Sequence, residues 1–461
     1  MRRGIALIAV MLLSGCAAVG EGPSASSVRV PAAFVYAPPT EARDALASLL
    51  PNEDPAFRML VAAVEEDAPD LQVALARVAA ARAALRAAGA ARAPNVQAES
   101  SVGYARGSEN TIVNLPPGTV IDTSNASYSL GINATWDLDL FGRLRSSQRA
   151  AALRLDAADA DARAVRLTLV ADVARAVVDY RTAQAKLQIT DDDLSDAAAL
   201  VKLTGTRTRA GIAPGLDLAR AQSLEAAARS QRGPAQAELA AALGRLVTLT
   251  ARDGTSVGAA FASAAESRPA VLPSVGLPSV LLRQRPDIVA AEYRLGAANA
   301  EIATAAAARF PQISINAALG VAALALGELF SADSLTASLG GTIAGPLLDF
   351  GRLEAQIDAR QADAKEAFAL YRRAVFTGIG DAETALGSLQ ANRERLAALE
   401  AQIVIEQDSV ALSTARYRMG LSDFLGVIDA QRQLNAARQA LAEAKGNAAR
   451  TEIGVYRSFG G

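Results

Sequence analysis

The chain contains two copies of one long unit, and this internal repeat limits its fold more than any other feature. The letters FGRL occur at 141–144 and again at 350–353, which is 209 positions later. Gly211 and Gly420 are separated by the same 209 positions, so the two copies align over this stretch without an insertion. Such a repeat favours one architecture assembled from two similar halves over several unrelated domains.

The composition removes most of the usual catalytic tools. Hydrophobic residues make up 51% of the 461 residues and aromatic residues only 4%, which suits closely packed, alanine-rich helices. There is no histidine, so Ser-His-Asp triads, Cys-His pairs and HExxH metal sites are excluded. The net charge of −2 gives no reason to expect a nucleic-acid partner. We therefore expect no enzyme, no metal site and no cofactor.

The first forty residues are typical of an exported bacterial lipoprotein. Two arginines precede an apolar run that is too short to span a membrane, so residues 1–15 are predicted to be a signal peptide. The letters LSGC, ending at Cys16, resemble a bacterial lipobox, in which the cysteine is lipidated and becomes the first mature residue. By that resemblance, Ala17 favours sorting to the outer membrane. Residues 16–40 are predicted to be an extended tether. A plain signal peptide that happens to contain a cysteine is the alternative.

Each copy begins with the signals of a helix followed by a β-hairpin. Pro69–Asp70 and Pro286–Asp287 place a proline in the first helical turn and a carboxylate near the positive helix end. Pro94 and Pro311 end these helices. Apolar and polar residues then alternate with a period of two, which predicts strands with one apolar and one polar face. The predicted strands are about 95–106 and 127–140 in the first copy, and about 312–322 and 335–348 in the second.

Four such strands cannot close a membrane barrel within one chain. A single hairpin from each copy is not stable alone, and unpaired strand edges require strands from other subunits. Three copies of the chain would supply twelve strands. A half-buried sheet on a soluble domain is the alternative. The offset between the copies falls from 217 before the hairpin to 209 after it, so the first hairpin is longer, with its extra residues in 107–125. An insertion there is expected of an exposed tip.

Two long helices follow the hairpin in each copy. Val170, Val173 and Val177 recur at the spacing of a coiled-coil seam. The predicted helices are about 142–211 and 215–250 in the first copy, and about 351–419 and 422–456 in the second. A helix of seventy residues would be about 100 Å long at about 1.5 Å per residue. Residues 251–283 are predicted to link the copies and to lie against the outside of the resulting tube.

Several segments, in order, resemble the TolC-type outer-membrane factors. They are LPSVLLRQRPDIVAAEYRLGAANAEI at 277–302, ARFPQIS at 308–314, both FGRL motifs, and RYRMGLSDFLGVIDAQRQL at 416–434. Together with the lipobox they are similar to the OprM/NodT-type lipoprotein branch. The resemblance implies a mainly α-helical fold with a membrane β-barrel contribution, built from two tandem helix–β-hairpin–long-helix repeats at 41–250 and 284–461 with an equatorial linker between them. A trimer would form a twelve-stranded outer-membrane barrel continued by a periplasmic α-helical tunnel.

The resemblance also implies a function and partners. The protein would be the outer-membrane channel component of a tripartite efflux system in a Gram-negative bacterium, a passive exit duct for small molecules. A homotrimer in outer-membrane lipid would work with a periplasmic adaptor (a membrane fusion protein) and an inner-membrane pump of the RND type. The exit duct of a type I protein secretion system is the main alternative. A non-conducting periplasmic coiled-coil spacer and a periplasmic enzyme fit the residues less well.

Two groups of residues are candidates for function. Leu425, Asp429 and Arg432 are four and three positions apart, so they share one helix face. The resemblance implies that they line the periplasmic gate, and the repeat puts Arg220 at the position of Asp429. A solvated helix face is the alternative. The second group lies at the predicted helix tips, where it would contact the adaptor or merely cap the helices. It consists of Arg207, Arg209, Gly211, Ile212, Arg416, Arg418, Gly420 and Leu421.

The resemblance also gives the FGRL motifs a structural role. Each would mark the turn from an outward strand to a tunnel helix. We expect the glycine to permit the bend and the phenylalanine to pack at the junction.

Overall fold

The computed structural model describes residues 22–36, 46–108, 124–263 and 284–461. The predicted signal peptide, Cys16, most of the longer hairpin tip and most of the predicted linker lie outside the described residues. Two compact units divide the described chain. The first comprises residues 22–27, Val78–Ala158 and Ala291–Tyr371, and the second comprises the described parts of Val28–Arg77, Asp159–Ala290 and Arg372–Gly461. Each unit therefore takes residues from both copies of the repeat.

Helices make up most of the described chain. The first copy contains α1 (Pro55–Asp67), α2 (Pro69–Ala90), α3 (Arg143–Arg209) and α4 (Gly215–Thr250), and α5 (Gly254–Ala260) lies in the predicted linker. The second contains α6 (Pro286–Ala307), α7 (Arg352–Arg418) and α8 (Leu425–Phe459). Short 3-10 turns occur at Ala25–Ser27, Leu46–Leu49, Leu326–Glu328 and Ala332–Ser334. Among the described residues, no helix is both long enough and apolar enough to cross a membrane.

The predicted coiled-coil seam is a buried stripe. Val173 and Val177 of α3 are fully buried in the main core of the second unit, and Val170 packs against the same cluster. Ile379 and Leu386, at the equivalent positions of α7, are buried as well. Burial of these residues at a spacing of three and four is what holds the long helices against their neighbours.

The four strands form one antiparallel sheet in the first unit, in the order β1-β2-β3-β4. The strands are β1 (Asn95–Arg106), β2 (Ser124–Asp137), β3 (Gln312–Ala323) and β4 (Leu335–Ala344). Pairing of β2 with β3 joins the two copies of the repeat. Gly131 faces Gly320 in this pair, and a Cβ at Gly320 would lie only 2.6 Å from the carbonyl oxygen of Leu130. The glycines therefore let the two hairpins approach closely.

The boundaries of β2, β4 and α8 differ from the sequence-based expectation by three or four residues. β2 begins at Ser124 rather than near 127, and α8 ends at Phe459 rather than near 456. β2 ends at Asp137 rather than near 140, because Asp139 leaves the extended conformation with a φ of 50°. β4 ends at Ala344 rather than near 348, just before Gly345 and Pro346, and proline cannot donate to a strand ladder. α8 begins at Leu425 rather than near 422, because the preceding residues form a turn.

Part of the tether predicted at 16–40 contacts other residues of the second unit. The ring of Phe34 packs edge-on against Phe459 with centroids 5.5 Å apart, and only 6% of Phe34 is exposed. The backbone N–H groups of Val35 and Tyr36 donate to the Glu383 carboxylate at 2.8 and 3.3 Å. This part of the segment is held by specific contacts rather than extending freely.

Candidate functional site

The sheet has an apolar face that continues across all four strands. Ile132 of β2 lies opposite Ala98 of β1 and Leu319 of β3, and Leu319 in turn lies opposite Ala337 of β4. Several larger side chains of this face are exposed in the single chain, among them Ile132 by 53%, Leu319 by 58% and Leu339 by 80%. A contiguous apolar surface of this kind marks contact with lipid or with another protein.

The opposite face of the sheet carries polar side chains that bond across the strands. Nδ2 of Asn133 donates to Oε2 of Glu99 at 2.7 Å, and Nδ2 of Asn316 donates to Oγ1 of Thr342 at 3.0 Å. A polar face opposite an apolar one suits strands that separate lipid from water.

The two FGRL motifs form the turns from β2 to α3 and from β4 to α7. Gly142 has a φ of 75° and Gly351 a φ of 86°, so the predicted role of the glycines in the bend is confirmed. The carboxylate of Asp139 accepts the N–H groups of Leu144 and Arg145 at 2.8 Å each. Asp139 therefore caps the first turn of α3.

Asp349 caps α7 from a different position. Its carboxylate accepts the N–H of Leu353 at 2.9 Å and of Gly351 at 3.2 Å, and these backbone hydrogen bonds lower the pKa of Asp349. Asp139 precedes the motif glycine by three residues and Asp349 by two. Alignment of the copies therefore did not reveal the shared cap.

The phenylalanines of the two motifs differ in their surroundings. Phe141 stacks on Phe310 with ring centroids 4.7 Å apart, as predicted for the junction. Phe350 is 97% exposed, so the same prediction is wrong for Phe350 within the single chain. Besides the glycine, the residue with a positive φ in this turn is Phe350 itself, at 51°, whereas in the first copy it is Asp139, at 50°.

Both long helices end in the same cap. Gly211 has a φ of 73°, and the N–H of Ile212 donates to the carbonyl of Arg207 at 3.0 Å. Gly420 has a φ of 74°, and the equivalent bond is 2.9 Å long. This arrangement is the Schellman motif, which requires a residue in the left-handed region.

The tip residues are exposed except for Arg207, which is half-buried. Five of them are exposed side chains: Arg209, Ile212, Arg416, Arg418 and Leu421. Arg207 differs, because its guanidinium carbon lies 5.0 Å from the ring centroid of Tyr417 and its Nη1 donates to the carbonyl of Arg418 at 3.0 Å. Arg207 therefore links the tip of the first copy to the tip of the second.

The predicted gate residues share a surface of α8. Leu425, Asp429 and Arg432 are all exposed, while the intervening Val427 and Ile428 are buried. Arg220 of α4 is half-buried. Within the described residues, neither Asp429, Arg432 nor Arg220 forms an ion pair or a side-chain hydrogen bond. The structure therefore shows no ion pair among these three charges within the described chain.

A buried link that no local sequence pattern predicts lies beside the gate residues. The hydroxyl of Tyr417 donates to Oδ2 of Asp217 at 3.1 Å, and both residues are buried. The Tyr417 ring also packs against Phe424, with centroids 5.1 Å apart. The two partners are 200 positions apart. Only the tyrosine inside the RYRMG segment was available as a signal.

One carboxylate of α3 is buried near α8. Asp193 is 8% exposed, and its Oδ1 lies 3.6 Å from Nη1 of Arg438, without a hydrogen bond. The pKa of Asp193 is raised to about 6, chiefly by burial; the charge of Arg438 opposes this rise, and the charges of Asp196 and Asp192 add to it. Among the described residues, no group of three or more Asp, Glu, His or Cys side chains is arranged to hold a metal ion.

Comparison with known families gives a match over both copies of the repeat. A family model described as "Outer membrane efflux protein" matches residues 60–252 and 277–461, which is more than half of the chain.

Individual relatives match over nearly their full length. The chain is 28% identical over 469 residues to the solvent efflux pump outer membrane protein SrpC of Pseudomonas putida, covering 100% of the chain and 98% of the relative. It is 28% identical over 462 residues to the pyoverdine export outer membrane protein OpmQ of Pseudomonas aeruginosa, covering 100% and 97%. A solved structure of the outer-membrane channel OprN is 30% identical and has a TM-score of 0.86, covering 95% of this chain and 98% of that one.

Proposed function

This chain belongs to the outer membrane efflux protein family, and we propose that it is the passive outer-membrane exit duct of a tripartite efflux system. The sheet of the first unit carries this proposal, because its exposed apolar face and its polar face suit strands between lipid and a water-filled lumen. The four strands have 12, 14, 12 and 10 residues. About 9–11 residues are enough for a tilted strand to cross a bilayer.

A homotrimer would complete the duct. β1 and β4 are the edges of the sheet, and joining β4 of one copy to β1 of the next would leave no open edge. Three copies would then form a barrel of twelve strands. α3 and α7, each of 67 residues, follow β2 and β4 and would continue the barrel as a periplasmic tunnel. The mature chain would also be anchored in the outer membrane through lipidated Cys16.

The periplasmic gate would be formed by Leu425, Asp429, Arg432 and Arg220. Asp429 and Arg432 are exposed and unpaired within the described chain, which leaves them available to a neighbouring copy. Three carboxylates about 6 Å apart repel by roughly 0.7 kcal/mol per pair at the dielectric constant of water, and by more in a narrow pore. Arginines from adjacent helices would offset this repulsion and hold the gate closed.

The exposed helix tips would receive the periplasmic adaptor. Ile212 and Leu421 are each 64% exposed beside Arg209, Arg416 and Arg418. Apolar side chains flanked by arginines suit a protein interface. The adaptor would connect the duct to an inner-membrane pump of the RND type, which supplies the energy.

The duct would carry small molecules without reacting with them. One relative is named for solvent efflux and another for pyoverdine export, so members with similar sequences are named for different cargo. This difference supports a passive duct whose cargo is chosen by the pump. A type I secretion duct would differ in its cargo, a protein, and in its partner.

Planar-bilayer conductance of the purified protein tests the proposal. We expect small, flickering currents from the wild type and large, sustained currents from the double variant Asp429→Ala, Arg432→Ala. The matched control is Asp358→Ala with Arg373→Ala, which removes one exposed unpaired charge of each sign from α7. Equal currents in all three proteins would mean that residues other than Asp429 and Arg432 form the gate. Properly inserted proteins that do not conduct would contradict the duct and favour a spacer.

A further inference from the structure

Aromatic side chains mark the end of the apolar sheet face at the strand-to-helix junction. Nε1 of Trp136, in the last two residues of β2, donates to the carbonyl of Arg92 at 2.9 Å, while the residue remains 40% exposed. Phe141, five residues after Trp136, stacks on Phe310. Aromatic rings with a satisfied polar edge are typical of the boundary between hydrocarbon and headgroups.

Three arginines lie in the first two turns of α3, directly after this junction, and two of them are free. Arg143 is paired with Asp137 at 2.9 Å. Arg145 and Arg149 are exposed, and their side chains form no ion pair or hydrogen bond within the described residues. They are four positions apart, so both charges lie on one side of the helix.

The distances of these arginines from the start of α3 are close to the thickness of a headgroup layer. Arg145 and Arg149 are about 3 and 9 Å along the helix from its first residue, at about 1.5 Å per residue. A bilayer has a hydrocarbon core of about 30 Å within a total of about 40–45 Å, which leaves about 5–7 Å of headgroups on each side. If the headgroup layer begins at the first residue of α3, the backbone of Arg145 lies within it and that of Arg149 lies about 2–4 Å beyond it. Both side chains lean back toward this layer, because helical side chains tilt toward the N-terminus of the helix.

The proposed lipid on Cys16 independently limits how far the membrane surface can lie from Arg149. Arg149 lines a cleft of about 510 Å³ together with residues 22–25. Nδ2 of Asn299 donates to the carbonyl of Pro23 at 3.1 Å, and a Cβ at Gly22 would collide with the Asn299 side chain. Cys16 precedes Gly22 by six residues, which span at most about 20 Å. A lipid attached to Cys16 would therefore enter the membrane within about 20 Å of this cleft.

From these two positions we infer that Arg145 and Arg149 bind the phosphate groups of anionic glycerophospholipids in the periplasmic leaflet of the outer membrane. The inference rests on the proposed membrane location of the sheet. A guanidinium group presents paired N–H donors that match two phosphate oxygens, and its charge complements an anionic headgroup. The contact fixes the height of the barrel in the membrane at the start of the helical tunnel.

The full-length lipidated protein tests this contact in detergent. Native mass spectrometry counts retained phospholipids, and thermal unfolding compares added phosphatidylglycerol with phosphatidylcholine of the same acyl chains. The variant is Arg145→Gln with Arg149→Gln. The matched control, Arg373→Gln with Arg395→Gln, removes two exposed unpaired arginines from the part of α7 that lies in the second unit.

We expect phosphatidylglycerol to raise the unfolding midpoint of the wild type and of the control. The rise and the number of retained anionic lipids should fall by at least half in the Gln variant, and Arg145→Lys with Arg149→Lys should restore most of both. An equal rise in the wild type and the Gln variant, an equal loss in the control, or the same rise with inorganic phosphate alone would overturn the lipid contact. Bilayer conductance separates this outcome from the proposed function, because a conducting protein without the lipid effect contradicts only the contact.

Discussion

The hydroxyl of Tyr417 lies 3.1 Å from Oδ2 of Asp217, and this hydrogen bond joins the end of α7 to the beginning of α4. Both residues are buried among the side chains that support the proposed gate. Burial and the hydrogen bond to Asp217 raise the pKa of Tyr417 above its ordinary value near 10, so the phenol remains a donor at neutral pH. The two copies of the repeat are therefore tied together beside the exposed Asp429 and Arg432.

Tyr417→Phe should destabilise the tips and open the duct. The substitution keeps the ring against Phe424 but leaves the buried Asp217 without its partner, which costs about 1–3 kcal/mol. We expect a lower unfolding midpoint and a larger mean conductance. Tyr104→Phe is the control, because Tyr104 is 75% exposed on the sheet. Equal behaviour of the two variants would show that the bond does not restrain the tips.

Asp193→Asn should stabilise the protein at neutral pH. The pKa of Asp193 is raised to about 6, so the folded state holds this proton more tightly than the unfolded chain. The stability that this group contributes is thus present below about pH 4 and is lost as pH rises to about 6, by at most about 3 kcal/mol. Asparagine should remove this loss, as measured by chemical denaturation between pH 4 and 8. Asp358→Asn, which changes an exposed carboxylate of α7, is the control. A destabilised Asp193→Asn protein at pH 7 would mean that attraction to Arg438 outweighs burial.

Gly211→Ala and Gly244→Ala should change stability in opposite directions. Gly211 has a φ of 73° with nothing within 4 Å of an added Cβ, so alanine there adds only backbone strain of about 1 kcal/mol. Gly244 lies inside α4 with equal space and no positive φ, so alanine should stabilise by about 0.4–1 kcal/mol. Thermal unfolding of the two variants measures both effects. Destabilisation by both substitutions would contradict the assignment of the strain to the left-handed cap.

Asp139→Ala should cost more stability than Asp349→Ala. Each substitution removes a helix cap worth about 0.5–2 kcal/mol. Asp139 is also buried and has a φ of 50°, a conformation that aspartate tolerates better than alanine does. In denaturant unfolding, Asp139→Ala should therefore have a lower free energy of unfolding than Asp349→Ala. Asp139→Asn should recover part of the lost stability. A larger loss of stability in Asp349→Ala than in Asp139→Ala would contradict this ranking.

Local patterns predicted most of the elements, and long-range contacts account for most of the misses. Alternation placed the sheet strands, and the arginine–glycine pairs placed the ends of α3 and α7, because both signals act between residues a few positions apart. The predicted set of tip residues did not separate Arg207, which packs on Tyr417, from the exposed arginines around it. The burial of Asp193 and the packing of Phe34 on Phe459 were not predicted from the sequence either.

The repeat, the period of each element and the residues that could end it are legible in the sequence, since they follow from backbone geometry within a few residues. Three other features depend on the packing of distant residues: β2 pairs with β3, Tyr417 bonds to Asp217, and Phe350 remains exposed while Phe141 stacks. These outcomes depend on which distant side chains compete for the same space and the same hydrogen bonds. That competition is settled when the two copies pack together, not by the residues of either copy alone.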